Sequence, residues 1–334
     1  MHNQCRQFVV FVEEYAMATI IPAMFGVSSL KKPADNRDAF MSLMMVVVLW
    51  GINSVSIKYL TQFFPPLALA PIRLCLASSL LLPIVFYRYG FQRLPRESWL
   101  PIAGVAAFCI FLHQIALTIG IKATSGTHAV IILGSSPLFT TVLASFLLKE
   151  AFTVAKGVGI SLGLSGLLFI ISGNVQGEAS LIGDSIMFIA TITFVIGSFF
   201  VKKATLSVSP LIITAYSHSL AAIALLLLGL VINPVWSYPG SFGLWPVAVL
   251  LFSSFMSTAI GALLWNMSIQ KVGASTASLF QNASPVIGVI ASAFFLGEQL
   301  SWQHFVALTL VMLGVSVGTG ILRVPDLLKA SSRG

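Results

Sequence analysis

Ten stretches of the chain are apolar over about 20 residues, each closed by a short polar or charged connection, at 40–57, 66–86, 99–121, 126–148, 154–172, 181–201, 210–232, 244–269, 274–296 and 303–322. At 1.5 Å of rise per residue, about 20 residues cross the roughly 30 Å hydrocarbon core of a bilayer, so the pattern predicts ten spanning helices. The connections, often four to eight residues long, leave no room for a soluble domain and force neighbouring helices to run antiparallel. The expected fold is an all-α integral membrane bundle.

The pattern is also written twice. Setting Pro137 on Pro285, 148 residues apart, places Ala129 on Ala277, Glu150 on Glu298 and Gly166 on Gly314 without a gap. Each Pro lies in an apolar stretch that stops at a Glu thirteen residues later, and another apolar stretch with a central Gly follows. With five spans per copy the second copy enters from the opposite side, which makes the halves inverted repeats, the construction many secondary transporters use. The expected units are a first repeat over 39–173 and a second over 178–322, preceded by an extension over 1–38 and followed by a tail over 323–334.

Composition agrees with this pattern. The chain is 57% hydrophobic and 8% charged over 334 residues, against roughly a quarter charged in soluble domains, and its mean hydropathy is +0.97. The net charge of +8 does not point to nucleic acid, because the Lys and Arg residues are scattered between apolar runs and not clustered. It reads as topology. With an internal amino terminus, 15 of the 18 basic residues fall in cytoplasmic segments, only Lys58 and Lys122 fall outside, and Arg73 lies within the second span. Both termini are therefore expected in the cytoplasm. Phe8 to Val27 is apolar but interrupted by Glu13, Glu14 and Pro22, which suits a flexible or interfacial cytoplasmic extension; a signal peptide, or a true start at Met17, Met24 or Met41, is the competing reading. Cys5, Cys75 and Cys109 have no metal-ligand spacing, and no metal or cofactor is expected.

The residues resemble a known family, the EamA-type branch of the drug/metabolite transporter superfamily. The likeness is clearest in Leu264-Trp265-Asn266, Val272-Gly273-Ala274-Ser275, Ala277-Ser278-Leu279, Asn282, Pro285-Val286 and Leu296-Gly297-Glu298. The first half echoes it in Ala116-Leu117, Thr124-Ser125-Gly126, Ser136-Pro137-Leu138 and Leu148-Lys149-Glu150, and Leu49-Trp50-Gly51-Ile52-Asn53 is similar to the opening helix of that family. His128 stands opposite Thr276 and Lys149 opposite Gly297, which are departures between the copies. The resemblance implies two five-helix EamA repeats over 40–322, a central cavity, alternating access and a place in the cytoplasmic membrane. It says little about the substrate.

Polar side chains inside spans tend to face a bundle interior or a water-filled path. The candidates for a substrate cavity are Trp50 and Asn53, His113 and Gln114, His128, Tyr216, and Trp265, Asn266, Gln281 and Asn282, with His218 beside them. Each is open to a second reading as an interhelical hydrogen bond or a packing residue. Arg73, a charge well within a span, reads either as a contact for a carboxylate or phosphate or as an Arg that snorkels outward. Pro137 and Pro285 each remove a backbone hydrogen bond and form a symmetric pair of hinge candidates, or of static kinks. Gly159 with Gly163, and Gly314 with Gly318, have the spacing that lets helices approach closely, between halves or between protomers. Glu150 and Glu298 read as helix ends. A mid-membrane carboxylate relay is not expected, and the histidines are the remaining candidates for proton coupling.

The function expected is a secondary carrier for a small organic metabolite, an amino acid or similar, with export favoured. A drug or amphipathic-amine exporter is the alternative, and a membrane-embedded lipid-modifying enzyme is the alternative of another class. No phosphate-binding loop, His-Glu-x-x-His motif or triad-like grouping occurs in the sequence, so an enzyme is not expected. The expected partners are a small-molecule substrate and the lipid bilayer, with the chain a monomer or homodimer.

Overall fold

Each apolar stretch folds as a helix. The structure is a computed structural model that describes residues 36–91, 93–147, 153–172, 180–232 and 243–318; Glu150, Cys5, the Phe8–Val27 stretch and the 323–334 tail lie outside these residues. In chain order α1 is Asn36–Leu60, α2 Pro66–Tyr89, α3 Arg96–Ala123, α4 Gly126 to Leu147, α5 Val154–Ser172, α6 Leu181–Ala204, α7 Pro210–Ile232, α8 Leu244–Val272, α9 Ala274 to Leu296 and α10 Trp302–Gly318. By length and composition nine of these can cross a membrane, and α10 is a shorter apolar helix. No strand occurs among the described residues.

Four of the ten are interrupted. α4 breaks at Ser135 into Gly126–Gly134 and Ser136–Leu147, and α9 breaks at a 3₁₀ turn, Gln281–Ala283, into Ala274–Phe280 and Ser284–Leu296. Pro137 and Pro285 therefore do not kink continuous helices. Each sits in the first turn of a second half-helix, where a backbone N–H would have no intrahelical partner to lose. α3 and α8 each contain a π-helical insert, Val105–Leu112 and Phe252–Gly261. These inserts overlap when the copies are set 148 residues apart.

Contacts between the halves follow the same symmetry. α2 lies along α7, α5 lies along α10, α1 packs on α8 and α9, and α6 packs on α3 and α4. The α5–α10 seam is built from small residues: a Cβ on Gly159 would overlap the backbone of Gly318, and one on Gly314 the backbone of Gly163. That spacing thus joins the two halves of one chain. Two buried apolar clusters mark opposite ends of the bundle, one around Leu43, Val46, Val85 and Ile213, the other around Ile57, Leu60, Ile131 and Val311. The polar side chains gather between them.

Candidate substrate cavity

Between the two apolar clusters lies a concave cavity lined by aromatic, apolar and a few polar side chains, the make-up of a small-molecule site. Its walls come from α1 to α4 and from α6 to α9, while α5 and α10 contribute nothing. The two halves supply matching positions. At the 148-residue offset, Gln114 and Ala262, Leu117 and Trp265, Leu133 and Gln281, and Ser136 and Ser284 all line the cavity as pairs. α1 and α6 match at an offset of 144, which pairs Trp50 with Phe194.

Seven of the residues expected at such a site line it: Trp50, Asn53, His113, Gln114, Trp265, Asn266 and Gln281, together with Arg73 and His218. Three do not. His128 is buried away from the cavity, its Nδ1 3.1 Å from Asp184 Oδ2. The Tyr216 ring stacks on Trp99 at 5.8 Å, because two residues along α7 turn it well away from His218. Asn282 follows Gln281 around the 3₁₀ turn and sends its amide to the Met312 carbonyl of α10 at 3.4 Å.

The polar wall is organised around Arg73, which is 1% exposed. Its Nε donates to Ser253 at 2.8 Å, one terminal nitrogen to Gln114 Oε1 at 3.1 Å, and the other to Thr258 Oγ1 at 2.8 Å. Ser253 passes its own proton to Asn53 Oδ1 at 2.6 Å, so four helices are joined through this one side chain. The π-helical insert of α8 makes the arrangement feasible: Thr258 lies five residues after Ser253, donates to the Ser253 carbonyl at 2.7 Å and still accepts from Arg73. The same insert exchanges bonds with α1. Trp50 Nε1 donates to the Ser257 carbonyl at 3.1 Å, and Ser257 Oγ donates to the Leu49 carbonyl at 3.1 Å.

The aromatic wall faces this network. Trp50, Phe194 and Trp265 form a closed triangle with ring centroids 5.3 to 5.8 Å apart. His113 lies 5.3 Å from Phe194, and because its Nδ1 meets the Ala190 carbonyl at 2.8 Å, that nitrogen is the donor. The Trp265 indole N–H is buried and has no hydrogen-bond partner among the described residues.

At the end where Lys58 and Lys122 lie, a second polar group ties the halves together. Gly297, in the left-handed region at φ 68°, ends α9 and turns Glu298 toward α4. The Glu298 carboxylate accepts from Gly126 N at 2.6 Å, Thr127 N at 2.9 Å and Thr127 Oγ1 at 2.6 Å, capping the amino end of α4. An anion at that position also meets the positive end of the helix dipole. Nearby, Asp184 accepts from Thr124 Oγ1 at 2.5 Å and pairs with His128, whose ring stands 5.8 Å from that of His304. Reading Glu298 as a plain helix end therefore missed a cap that crosses from one repeat to the other. Its signal in the sequence was present: Gly297 to stop one helix, and Ser125-Gly126-Thr127 to start another. Phe194, Ser253 and Thr258 carried no such signal, since Phe, Ser and Thr recur throughout the spans.

Comparison with known proteins supplies the remaining context. The model of the EamA-like transporter family matches residues 39–172 and again 181–319. An uncharacterized transporter of Bacillus subtilis strain 168, YyaM, is 30% identical over 278 residues, covering 80% of this chain and 89% of that protein. A Salmonella typhimurium protein named "Probable amino-acid metabolite efflux pump" is 25% identical over 299 residues, covering 87% of this chain and 97% of its own. One solved crystal structure aligns with a TM-score of 0.64 at 18% identity, over 87% of this chain and 100% of that one, a likeness of fold alone.

Proposed function

Because the chain belongs to the EamA-like transporter family, we propose that this multi-pass membrane protein is a secondary carrier that exports a small organic metabolite of amino-acid size, binding it in the central cavity and opening that cavity to one side of the membrane at a time. The observation that carries the reading is the cavity itself, which both halves line at equivalent positions. A site on the symmetry axis of inverted repeats is reached equally from either side when the halves exchange conformations. The name "Probable amino-acid metabolite efflux pump" carried by two relatives supports the substrate class and the direction. The charge count supports a cytoplasmic-membrane location with both termini inside.

The interrupted helices give the exchange its joints. Ser135 in α4 and the Gln281–Ala283 turn in α9 divide each helix where it meets the cavity, between Gly134 and Ser136 in α4 and between Gln281 and Ser284 in α9, and Pro137 and Pro285 prevent each pair of half-helices from fusing into one rod. The Glu298 cap holds one end shut, and the halves part there when its three hydrogen bonds are given up. The test is flux from proteoliposomes loaded with a panel of labelled amino acids and related metabolites. Saturable efflux of one class, reduced by substitutions at Trp265 or Gln114, is the expected result. Absence of flux for every class, with folded protein in the membrane, would end the reading.

A further inference from the structure

We propose that the cavity takes a monocarboxylate with an apolar, preferably aromatic body, its carboxylate seated on Arg73 and its body against Trp50, Phe194 and Trp265. The inference rests on the transport reading above for its biological sense, and on the cavity wall alone for its chemistry.

A guanidinium has five N–H donors. Three of those on Arg73 are taken by Ser253, Gln114 and Thr258, one from each nitrogen. One N–H on each terminal nitrogen remains, the number of donors that a carboxylate accepts with its two oxygens. The three neutral partners fix the orientation of the guanidinium fork without cancelling its charge. Among the described residues Arg73 has no acidic partner, and no Asp or Glu lines the cavity. A cation buried in a bilayer with neutral neighbours is costly until an anion joins it. The wall thus supplies a charge and two hydrogen-bond donors, with nothing anionic of its own to meet them.

A second feature points the same way. Trp265 is 2% exposed and lines the cavity, yet its Nε1–H has no acceptor among the described residues, an arrangement native proteins seldom leave unfilled. A ligand oxygen is the group that would satisfy it. The single cation also selects among anions: a monocarboxylate balances Arg73, whereas a phosphate dianion would bring an uncompensated charge into the bundle. A free ammonium finds no acid on the wall, so the carboxylate and the body carry recognition and an α-amino group adds little. The aromatic triangle, with its centroids 5.3 to 5.8 Å apart, supplies the apolar face against which the body lies.

The experiment uses the full chain in nanodiscs and three probes that share a phenyl body: 3-phenylpropionate, L-phenylalanine and phenethylamine. Saturable rises in melting temperature with the first two and none with the third are expected. Arg73→Gln should weaken 3-phenylpropionate about 10- to 100-fold, the scale of a lost charge-assisted bond. Trp265→Phe, which keeps the ring and removes the N–H, should weaken both carboxylates about threefold to tenfold. The proposal is overturned if phenethylamine stabilises the protein as well as 3-phenylpropionate does, if neither carboxylate binds, or if folded Arg73→Gln protein keeps full carboxylate affinity. Should that variant not fold, Arg73→Lys keeps the charge without the fork, and undiminished carboxylate affinity there overturns the fork; the three probes on the unaltered protein decide the charge preference in any case. The two readings fail separately. Carboxylate binding without flux in liposomes removes the transport function, and flux of amines without carboxylate preference removes the Arg73 seat.

Discussion

Replacing Glu298 by Gln tests whether the cap between the repeats is the closed gate at that end. Three hydrogen bonds of 2.6, 2.9 and 2.6 Å reach the carboxylate from Gly126 and Thr127. Bonds to a charged acceptor are about twice as strong as neutral ones, and Glu298 is half-buried, so removing the charge costs about 1 kcal/mol per bond. A Gln also presents an NH₂ group to an N–H donor and leaves it without an acceptor. Together these changes favour the open arrangement by about 3 kcal/mol, roughly a 100-fold shift in the equilibrium. Hydrogen–deuterium exchange followed by mass spectrometry reads the shift directly. The amides of Gly126 to Val130 should exchange up to about 100-fold faster in Glu298→Gln, while those around Gly159 and Gly318, at the far end of the α5–α10 seam, should not change. Equal exchange at Gly126–Val130 in folded variant and parent would refute the gate and leave Glu298 as a local cap without mechanical consequence.

Other expectations follow from single contacts. Pro137→Ala with Pro285→Ala restores an N–H that can bond the carbonyls of Leu133 and Gln281, fusing each pair of half-helices; the double variant should fold normally and transport more slowly, and an unchanged rate in a flux assay would end the hinge reading. Asp184→Asn removes the charge facing His128 in a site where both side chains are 2% exposed, so the melting temperature should fall by the equivalent of about 3 kcal/mol or more; no loss would show that the pair contributes nothing. Gly314→Val drives two methyl groups into the backbone of Gly159 and Gly163, and folded yield in detergent should drop sharply, whereas Gly243→Val, with Pro246 at 3.5 Å the nearest neighbour among the described residues, should be tolerated.

The spans and the doubling were legible in the sequence because they depend on features every residue reports: a run of about 20 apolar positions, and repeated Pro, Glu and Gly at one offset. Rotation of each helix about its axis was not. Tyr216 and His218 are separated by two residues, about 200° around α7, so only one of them can face the cavity, and an apolar helix gives no stripe to say which. Gln281 and Asn282 present the same problem at a 3₁₀ turn, where the angular step differs from that of an α-helix. The pairing of His128 with Asp184 is not legible in the sequence because 56 residues separate them, and His128, visible as a polar residue within a span, carries no sign of its partner. Arg73 was visible as a charge within a span, but the three side chains that fix its fork come from α3 and α8 and carry residue types found throughout the bundle.

The π-helical turns of α3 and α8 bear on the history of the chain. π-helical runs are rare, and two of them at the same register in the two halves are most simply one inherited feature. On that reading the departure belongs to the single repeat from which both halves descend. The Val105–Leu112 and Phe252–Gly261 segments would then be two copies of one feature put to different uses: the second holds Arg73 through Ser253 and Thr258, and the first lines the cavity with Cys109 and Ile110.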